Sequence, residues 1–250
     1  MSDDKITCMR DGGKILAVVR DAVIAAVKPG VSFEELEAVA QKELAAHGAK
    51  PSFAMVPGYR WATCITKNEE CVHGIPKGKR VEFGDVITID VGAFYKGFHT
   101  DTSITVCAGE CSRRVLKFIE IGHQAVDAAI RATKAGVSVF ELSKAMQEVV
   151  EGAGYRSVYQ LTGHGVGRKL HEDPSIPCYA DERSKKDTLK DGQTIAIEIM
   201  YAMGNPKLVL DKDGWTYRTE DRSLSGMHEH TVLVTRDGAE VLTKSEASEA

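Results

Sequence analysis

The sequence predicts an α+β fold in which two related halves share one curved antiparallel sheet, with four helices covering its outer face. Three observations carry this expectation. Residues 84–106, GDVITIDVGAFYKGFHTDTSITV, alternate like two strands joined by a tight turn at Tyr95-Lys96-Gly97. The segment 27–50, VKPGVSFEELEAVAQKELAAHGAK, returns at 133–156 as TKAGVSVFELSKAMQEVVEGAGYR, an offset of 106 residues. At an offset of 108, GDVITID (84–90) lies on GQTIAIE (192–198), which sets Asp90 on Glu198. Neither half can bury its sheet alone. Residues 1–250 therefore read as a single domain with pseudo-symmetric halves at about 10–110 and 112–243.

Taken in order, residues 11–27 carry apolar positions at helical spacing and stop at Pro29-Gly30. Ser32 followed by Glu35 is a capping box, opening a helix that runs to about His47-Gly48. Residues 51–83 are broken by Pro51, Pro57, Gly58, Gly74, Pro76 and Gly78 and read as irregular. After the hairpin, residues 112–134 return to helical spacing. Ser138 and Glu141 then form a second capping box, for a helix ending near Gly154. The C-terminal KSEASEA is polar and expected to fray.

Composition narrows the function classes. A net charge of −4 and a pI near 6.1 leave no electrostatic footprint for nucleic acid or a membrane surface. The N-terminal MSDDKITCMRDGGK has no apolar core of a secretory signal, and no apolar run reaches a membrane-spanning length. The six cysteines (8, 64, 71, 107, 111 and 178) have no zinc-finger spacing and read as reduced structural thiols in a cytoplasmic protein.

The hairpin carries the chemistry. With the chain folded at Tyr95-Lys96, Asp90 lands opposite Asp101 or within one residue of it. Two carboxylates so close repel unless a cation lies between them or one keeps its proton. The repeat adds Glu198, and the following strand, MHEHTVLV (227–234), adds Glu229 as the counterpart of Asp101. Four acids in otherwise apolar strands must be compensated. They suit a hard or borderline divalent ion, and their number suits two bridged ions sharing an activated water. One imidazole completes such a set. His47, His99, His123 and His230 read as surface or hydrogen-bonded residues, and His228 alternates away from the acids. His73, His164 and His171 remain, all in glycine- or proline-rich context. The GHGVG run lacks a following Gly-Lys-Ser/Thr, so a phosphate loop is set aside.

CVHGIP, ITIDVGAFYKGFHTDTS, LTGHGVGRKLHEDP, TIAIEIM and DGWTYRTEDRSLSGMHEHTVLVT together resemble the type I methionine aminopeptidases, metallopeptidases of the pita-bread fold. The resemblance covers residues 10–243. It implies Asp90, Asp101, His164, Glu198 and Glu229 as ligands of two divalent ions (Co, Mn, Fe, Zn or Ni), with Asp101 and Glu229 bridging. It implies Glu198 as general base, His73 against the scissile amide nitrogen and His171 against its carbonyl oxygen. The methionine pocket falls on Tyr59, Cys64, Leu170 and Trp215, with Phe53 and Val56 nearby. The implied activity is removal of the initiator methionine from nascent polypeptides in the cytoplasm, ahead of a small second residue. A monomer with transient ribosome contact is expected. This chain departs from the family pattern at Val72, Leu170 and Ile199, where the family usually has Cys, an aromatic residue and Pro. The rival readings are an Xaa-Pro aminopeptidase or prolidase, which shares fold and ligands, and a non-catalytic binding module that has lost ligands.

Overall fold

Helical and extended runs alternate along the chain as their periodicities dictate. In the computed structural model of the protein, which describes residues 3–245, α1 (Asp3–Ala26) and α2 (Phe33–Ala46) come first. Five strands follow: β1 (Lys50–Pro51), β2 (Thr63–Lys67), β3 (Glu70–Val72), β4 (Val86–Tyr95) and β5 (Phe98–Cys107). The second half opens with α3 (Arg113–Ala132) and α4 (Val139–Gly152). It continues through β6 (Arg156–Ser157), β7 (Thr162–Gly165), β8 (Glu172–Pro177), β9 (Thr194–Ala202), β10 (Leu208–Leu210), β11 (Tyr217–Thr219), β12 (Ser225–Val234) and β13 (Ala239–Val241).

Among the described residues, ten strands form one antiparallel sheet in the order β1-β4-β5-β12-β9-β7-β8, with β2, β6 and β13 paired at β4, β9 and β12. A smaller sheet joins β10, β11 and β3. The seam between the halves is the pair β5·β12. It has only two backbone-paired positions, Glu229 with Ser103 and His230 with Thr102. Threonine hydroxyls replace the missing ladder. Thr231 Oγ1 accepts from the Asp101 N–H and donates to the Asp101 carbonyl, each at 2.8 Å. Thr105 Oγ1 accepts from the Met227 N–H at 2.9 Å and donates to the Met227 carbonyl at 2.8 Å.

Each half has its own core. Leu16, Val19, Phe33, Leu36 and Leu44 of α1 and α2 pack on Ile87 and Ile89 of β4. Phe118, Leu142 and Met146 of α3 and α4 pack on Ile197 and Tyr201 of β9. Each large side chain so buried contributes about 1.5–3 kcal/mol, which is what fixes the four helices to the convex side.

Four local expectations are corrected. The hairpin closes on Lys96-Gly97, both left-handed at φ 46° and 90°. That is one residue later than expected, and it moves every cross-strand partner by two. Asp90 faces Ser103 and Asp101 faces Gly92, so the two acids are diagonal neighbours on one face. Helix α1 starts well before residue 11, despite Gly12-Gly13. Gly13 is there for close approach, since a Cβ would collide with the Leu242 carbonyl. The helix is further tied to the end of the chain by Arg10 on Glu240 at 2.7 Å and by Arg20 on the Thr243 carbonyl at 2.9 Å. Ser32 and Glu35 make their reciprocal cap, but Ser138 makes no side-chain cap. Both serines bridge a later segment, Ser32 at Arg80 and Ser138 at Thr188, and the missing cap at Ser138 has no structural explanation. Finally, Cys107 and Cys111 are joined in a disulfide across the turn at Gly109, so not all six thiols are reduced; the four other cysteines are buried and take part in no disulfide among the described residues. Of the C-terminal tail expected to fray, residues 246–250 lie outside the described residues.

The two helix glycines separate packing from propensity. Gly13→Ala is expected to lower stability by about 1–3 kcal/mol through overpacking. Gly12→Ala meets only ordinary contacts at 3.5–3.7 Å, and is expected to be neutral or to gain roughly 0.5–1 kcal/mol from lost chain entropy. Urea unfolding of the two variants reads the difference; a stabilised Gly13→Ala would refute the close approach.

Candidate metal centre

Strand alternation delivers the five predicted ligands to one place. Asp90, Asp101, Glu198 and Glu229 come from β4, β5, β9 and β12, and His164 from β7. Glu229 lies directly across from Glu198 on one side and Ser103 on the other. All five line a cavity of about 920 Å³ on the concave face. The four acids are 2–7% exposed. One ligand atom each from Asp101, His164 and Glu229 lies within 4.8 Å of the others. His164 Nε2 is 3.7 Å from Glu198 Oε1, while its Nδ1 is 2.9 Å from the Gly165 carbonyl. With Nδ1–H donating to that carbonyl, Nε2 turns its lone pair to the acids, as metal-binding imidazoles do.

The electrostatics are those of a site built for cations. Burial pushes the Asp90 carboxyl up to about 8. Burial first, then neighbouring carboxylates, push Asp101, Glu198 and Glu229 well above the usual range. Burial also takes His164 down to about 4, aided by His171. Asp90 Oδ1, Asp101 Oδ1 and both carboxylate oxygens of Glu229 are buried without a hydrogen-bond partner. Leaving such atoms unmet costs on the order of 1–3 kcal/mol each. Oxygen-rich ligands with one imidazole, orphaned in this way, fit divalent metal ions.

The two remaining histidines flank the cluster. The His171 ring stands edge-on to that of His164, with centroids 4.4 Å apart. His73 follows β3 with φ 59°, a left-handed conformation costing a β-carbon residue about 1–2 kcal/mol. Both line the cavity, and the surrounding protein lowers both pKa values. Beside them, Phe53, Tyr59, Cys64 and Leu170 form an apolar cluster completed by Val56 and Trp215. Tyr59 and Trp215 meet edge-to-face at 5.0 Å, and the Tyr59 hydroxyl is shared between the carbonyls of Thr63 and Gly74. Cys64 is the direct cross-strand partner of Asp90. Of the departures, Val72 and Leu170 line the cavity, whereas Ile199 belongs to the core of the second half.

Several supporting residues escape sequence reasoning. Buried Glu37 of α2 accepts from the N–H groups of Ala62 and Thr63 and from the Thr63 hydroxyl, at 2.6–3.0 Å. It thereby fixes the start of β2 and with it Cys64. Its signal was an acid on the apolar face of α2, between Leu36 and Ala40. His99 holds the pocket wall through Ser52 Oγ at 2.5 Å, and its N–H donates to the Gly167 carbonyl. Gly92 leaves room for that wall, since a Cβ would press on Ser52 and Phe53.

Residues 7–236 match the model of metallopeptidase family M24. The chain belongs to that family. A methionine aminopeptidase from Aquifex aeolicus is 40% identical over 254 residues, covering 97% of each chain. The crystal structure of a methionine aminopeptidase from Thermotoga maritima, 36% identical, superposes with a TM-score of 0.94 and 98% coverage of both chains. A prolidase from Pyrococcus furiosus, 27% identical, superposes at 0.79 over 98% of this chain and 65% of its own. The curved sheet with four helices is thus the pita-bread fold of this family, and divalent metal use follows from M24 membership.

The acid cluster predicts how stability varies with pH in metal-free protein. A raised carboxyl pKa means the folded state holds a proton the unfolded chain has lost. That stabilisation fades as pH climbs toward the folded value. The lowered histidines act in the opposite sense until the unfolded chain's histidines have lost their protons, about one pH unit above their ordinary value of 6.5. From about pH 7.5 upward, through about 8 where Asp90 titrates, the acids dominate. Metal-free M24 protein is expected to lose melting temperature over that window, and Mn²⁺-loaded protein to keep it. Thermal melts at both ends check this; parallel losses with and without metal would contradict it.

Proposed function

We infer that the protein is a metallo-aminopeptidase that removes the N-terminal methionine of polypeptides. The observation that carries this reading is the register of β2 on β4, which sets Cys64 of the apolar pocket across from Asp90 of the acid cluster. A methionine side chain seated against Tyr59, Cys64, Leu170 and Trp215 has its amino group and first peptide bond beside the carboxylates. The similarity to methionine aminopeptidases over nearly the whole chain supports the same reading.

In this reading Asp90, Asp101, His164, Glu198 and Glu229 would hold two divalent ions. Such ions, when bound, supply charge that acidifies water and polarises a carbonyl. The chain's own groups do the rest. Glu198, across the strand pair from Glu229, acts as general base and holds the transferred proton until the amine leaves. His171 donates a hydrogen bond to the carbonyl oxygen as negative charge grows on it. His73, held in its left-handed turn, contacts the amide nitrogen. Burial keeps both imidazoles neutral at neutral pH, so each retains one N–H to donate. Leu170, in place of an aromatic ring, leaves an adaptable pocket wall. A methylene difference in such a pocket is worth only about 1–3 kcal/mol, so norleucine peptides are cut, more slowly.

Two measurements test this. Hydrolysis of Met-Ala-x is expected to vanish on exhaustive chelation and return with Co²⁺ or Mn²⁺, with Met-Lys-x and Ala-Pro-x cut far more slowly. Faster cleavage of Ala-Pro-x would favour a prolidase-like activity, and no cleavage of any peptide a binding module. In steady-state kinetics, His171→Ala is expected to lower kcat by about 10²–10³ with little change in KM or metal content. His164→Ala should instead weaken metal binding. A His171→Ala protein that loses an ion would reverse the assignment.

A further inference from the structure

Against the start of β2 lies a buried carboxylate that the chemistry above does not use. Glu37 of α2 is among the buried residues of that helix. Its Oε1 accepts from the Ala62 N–H at 2.7 Å and from the Gln41 side-chain amide at 2.6 Å. Its Oε2 accepts from the Thr63 N–H at 3.0 Å and from the Thr63 hydroxyl at 2.6 Å. All four donors are uncharged, and three belong to two adjacent residues. Burying a carboxylate is costly unless hydrogen bonds compensate it, and an apolar side chain would pack the helix on the sheet without that cost. The acid is therefore explained by what it holds.

It holds one edge of a strand. In the large sheet β2 pairs with β4 alone. The N–H groups of Thr63 and Ile65, two residues apart, point to the other edge. Glu37 receives the first, and the Gly74 carbonyl receives the second at 3.0 Å. The Tyr59 hydroxyl joins the two ends, 2.8 Å from the Thr63 carbonyl and 3.1 Å from the Gly74 carbonyl. Gly74 is pressed so closely on β2 that a Cβ would stand 2.2 Å from the Ile65 carbonyl oxygen. His73, in its left-handed conformation, directly precedes Gly74. A continuous set of contacts thus runs from Glu37 through Thr63 and Tyr59 to the backbone beside His73. Tyr59, Cys64 and His73 all line the catalytic cavity, and Cys64 faces Asp90 across the strand pair.

We propose that Glu37 is a positioning residue for peptide hydrolysis: from the helix side it sets the first-residue pocket and the His73 turn together against the acid cluster. This rests on the aminopeptidase reading above and adds to it a residue that touches neither substrate nor metal. Glutamine at this position keeps the shape but replaces one acceptor oxygen with an NH₂ group. At least one buried N–H or O–H at Ala62 and Thr63 then loses its partner. The start of β2 moves to meet the loss, and the pocket moves with it relative to Asp90. Misplacement of about 1 Å in such a constellation costs about 10²-fold in rate.

The test is steady-state hydrolysis of Met-Ala-x and norleucine-Ala-x by the full, Mn²⁺-loaded chain, well below its melting temperature. Glu37→Gln is expected to lower kcat for Met-Ala-x by about 10²-fold, to narrow the preference for methionine over norleucine, and to leave metal content unchanged. Thr63→Val, which removes only the hydroxyl, should move both quantities the same way by a smaller factor. Thr63→Ser, which keeps the hydroxyl, should restore them. A residue of purely structural importance would lower the melting temperature and leave kcat and the preference at wild-type values. That result in Glu37→Gln would overturn the proposal. Where Glu37→Gln does not fold, Thr63→Val decides, and its equality with Thr63→Ser in both quantities would overturn the proposal as well. A wild-type protein that cuts no methionyl peptide would instead overturn the aminopeptidase reading, and this inference with it.

Discussion

Four carboxylates share one buried face of one sheet, and everything else in the molecule answers to that. Two like charges roughly 4 Å apart repel by about 4 kcal/mol at an effective dielectric of about 20. Burial adds the loss of hydration to each of Asp90, Asp101, Glu198 and Glu229. The folded chain meets this either by holding protons or by holding metal. A sheet can impose such crowding because its strands are fixed elsewhere, by apolar packing of the helices on the convex side. The cores of the two halves carry the stability that the concave face gives up.

The pocket and the acid centre work as one unit because the same strands build both. Asp90 and Cys64 are neighbours across β4 and β2, and Glu37 on α2 fastens the start of β2 by three hydrogen bonds. His99 ties the pocket wall at Ser52 to the backbone of the histidine loop at Gly167. Groups that recognise a side chain are thus held at fixed distance from groups that act on the adjoining peptide bond. Such positioning is worth most when the supporting residues are themselves locked. Here they are buried, with Ser52 at 0% and Glu37 at 5% exposure.

Much of this was legible in the sequence, and the failures have a common cause. The internal repeat, the Ser32–Glu35 cap and the strand alternation are local or periodic signals, and they gave the architecture and brought the four acids to one face. Resemblance of the glycine-flanked motifs to a known family singled out His164 among three candidates. The illegible parts depend on contacts between distant segments. The turn at Lys96-Gly97 shifted the hairpin register by two, because which residue accepts the left-handed conformation is decided by the strands around it. The start of α1 ahead of residue 11 was missed because Leu242, against which Gly13 packs, is far away in sequence. Ser138, bridged to Thr188 as Ser32 is to Arg80, nonetheless makes no side-chain cap, and the Cys107–Cys111 bridge formed around a turn too short to resemble a familiar spacing.

The grip of α1 on the end of the chain has a consequence for how the molecule is made. Gly13 sits against Leu242, Arg10 holds Glu240 and Arg20 holds Thr243, so the first helix completes its packing against residues some 230 positions further along the chain. Contacts of such long sequence separation are slow to form, because the intervening chain must first be ordered. The Leu16 and Val19 face of α1 packs on α2 and β4 within the first half, but its Gly13 side stays open until residues 240–243 arrive. Folding of this chain therefore includes the closing of a ring, a step that joins α1 to residues 240–243.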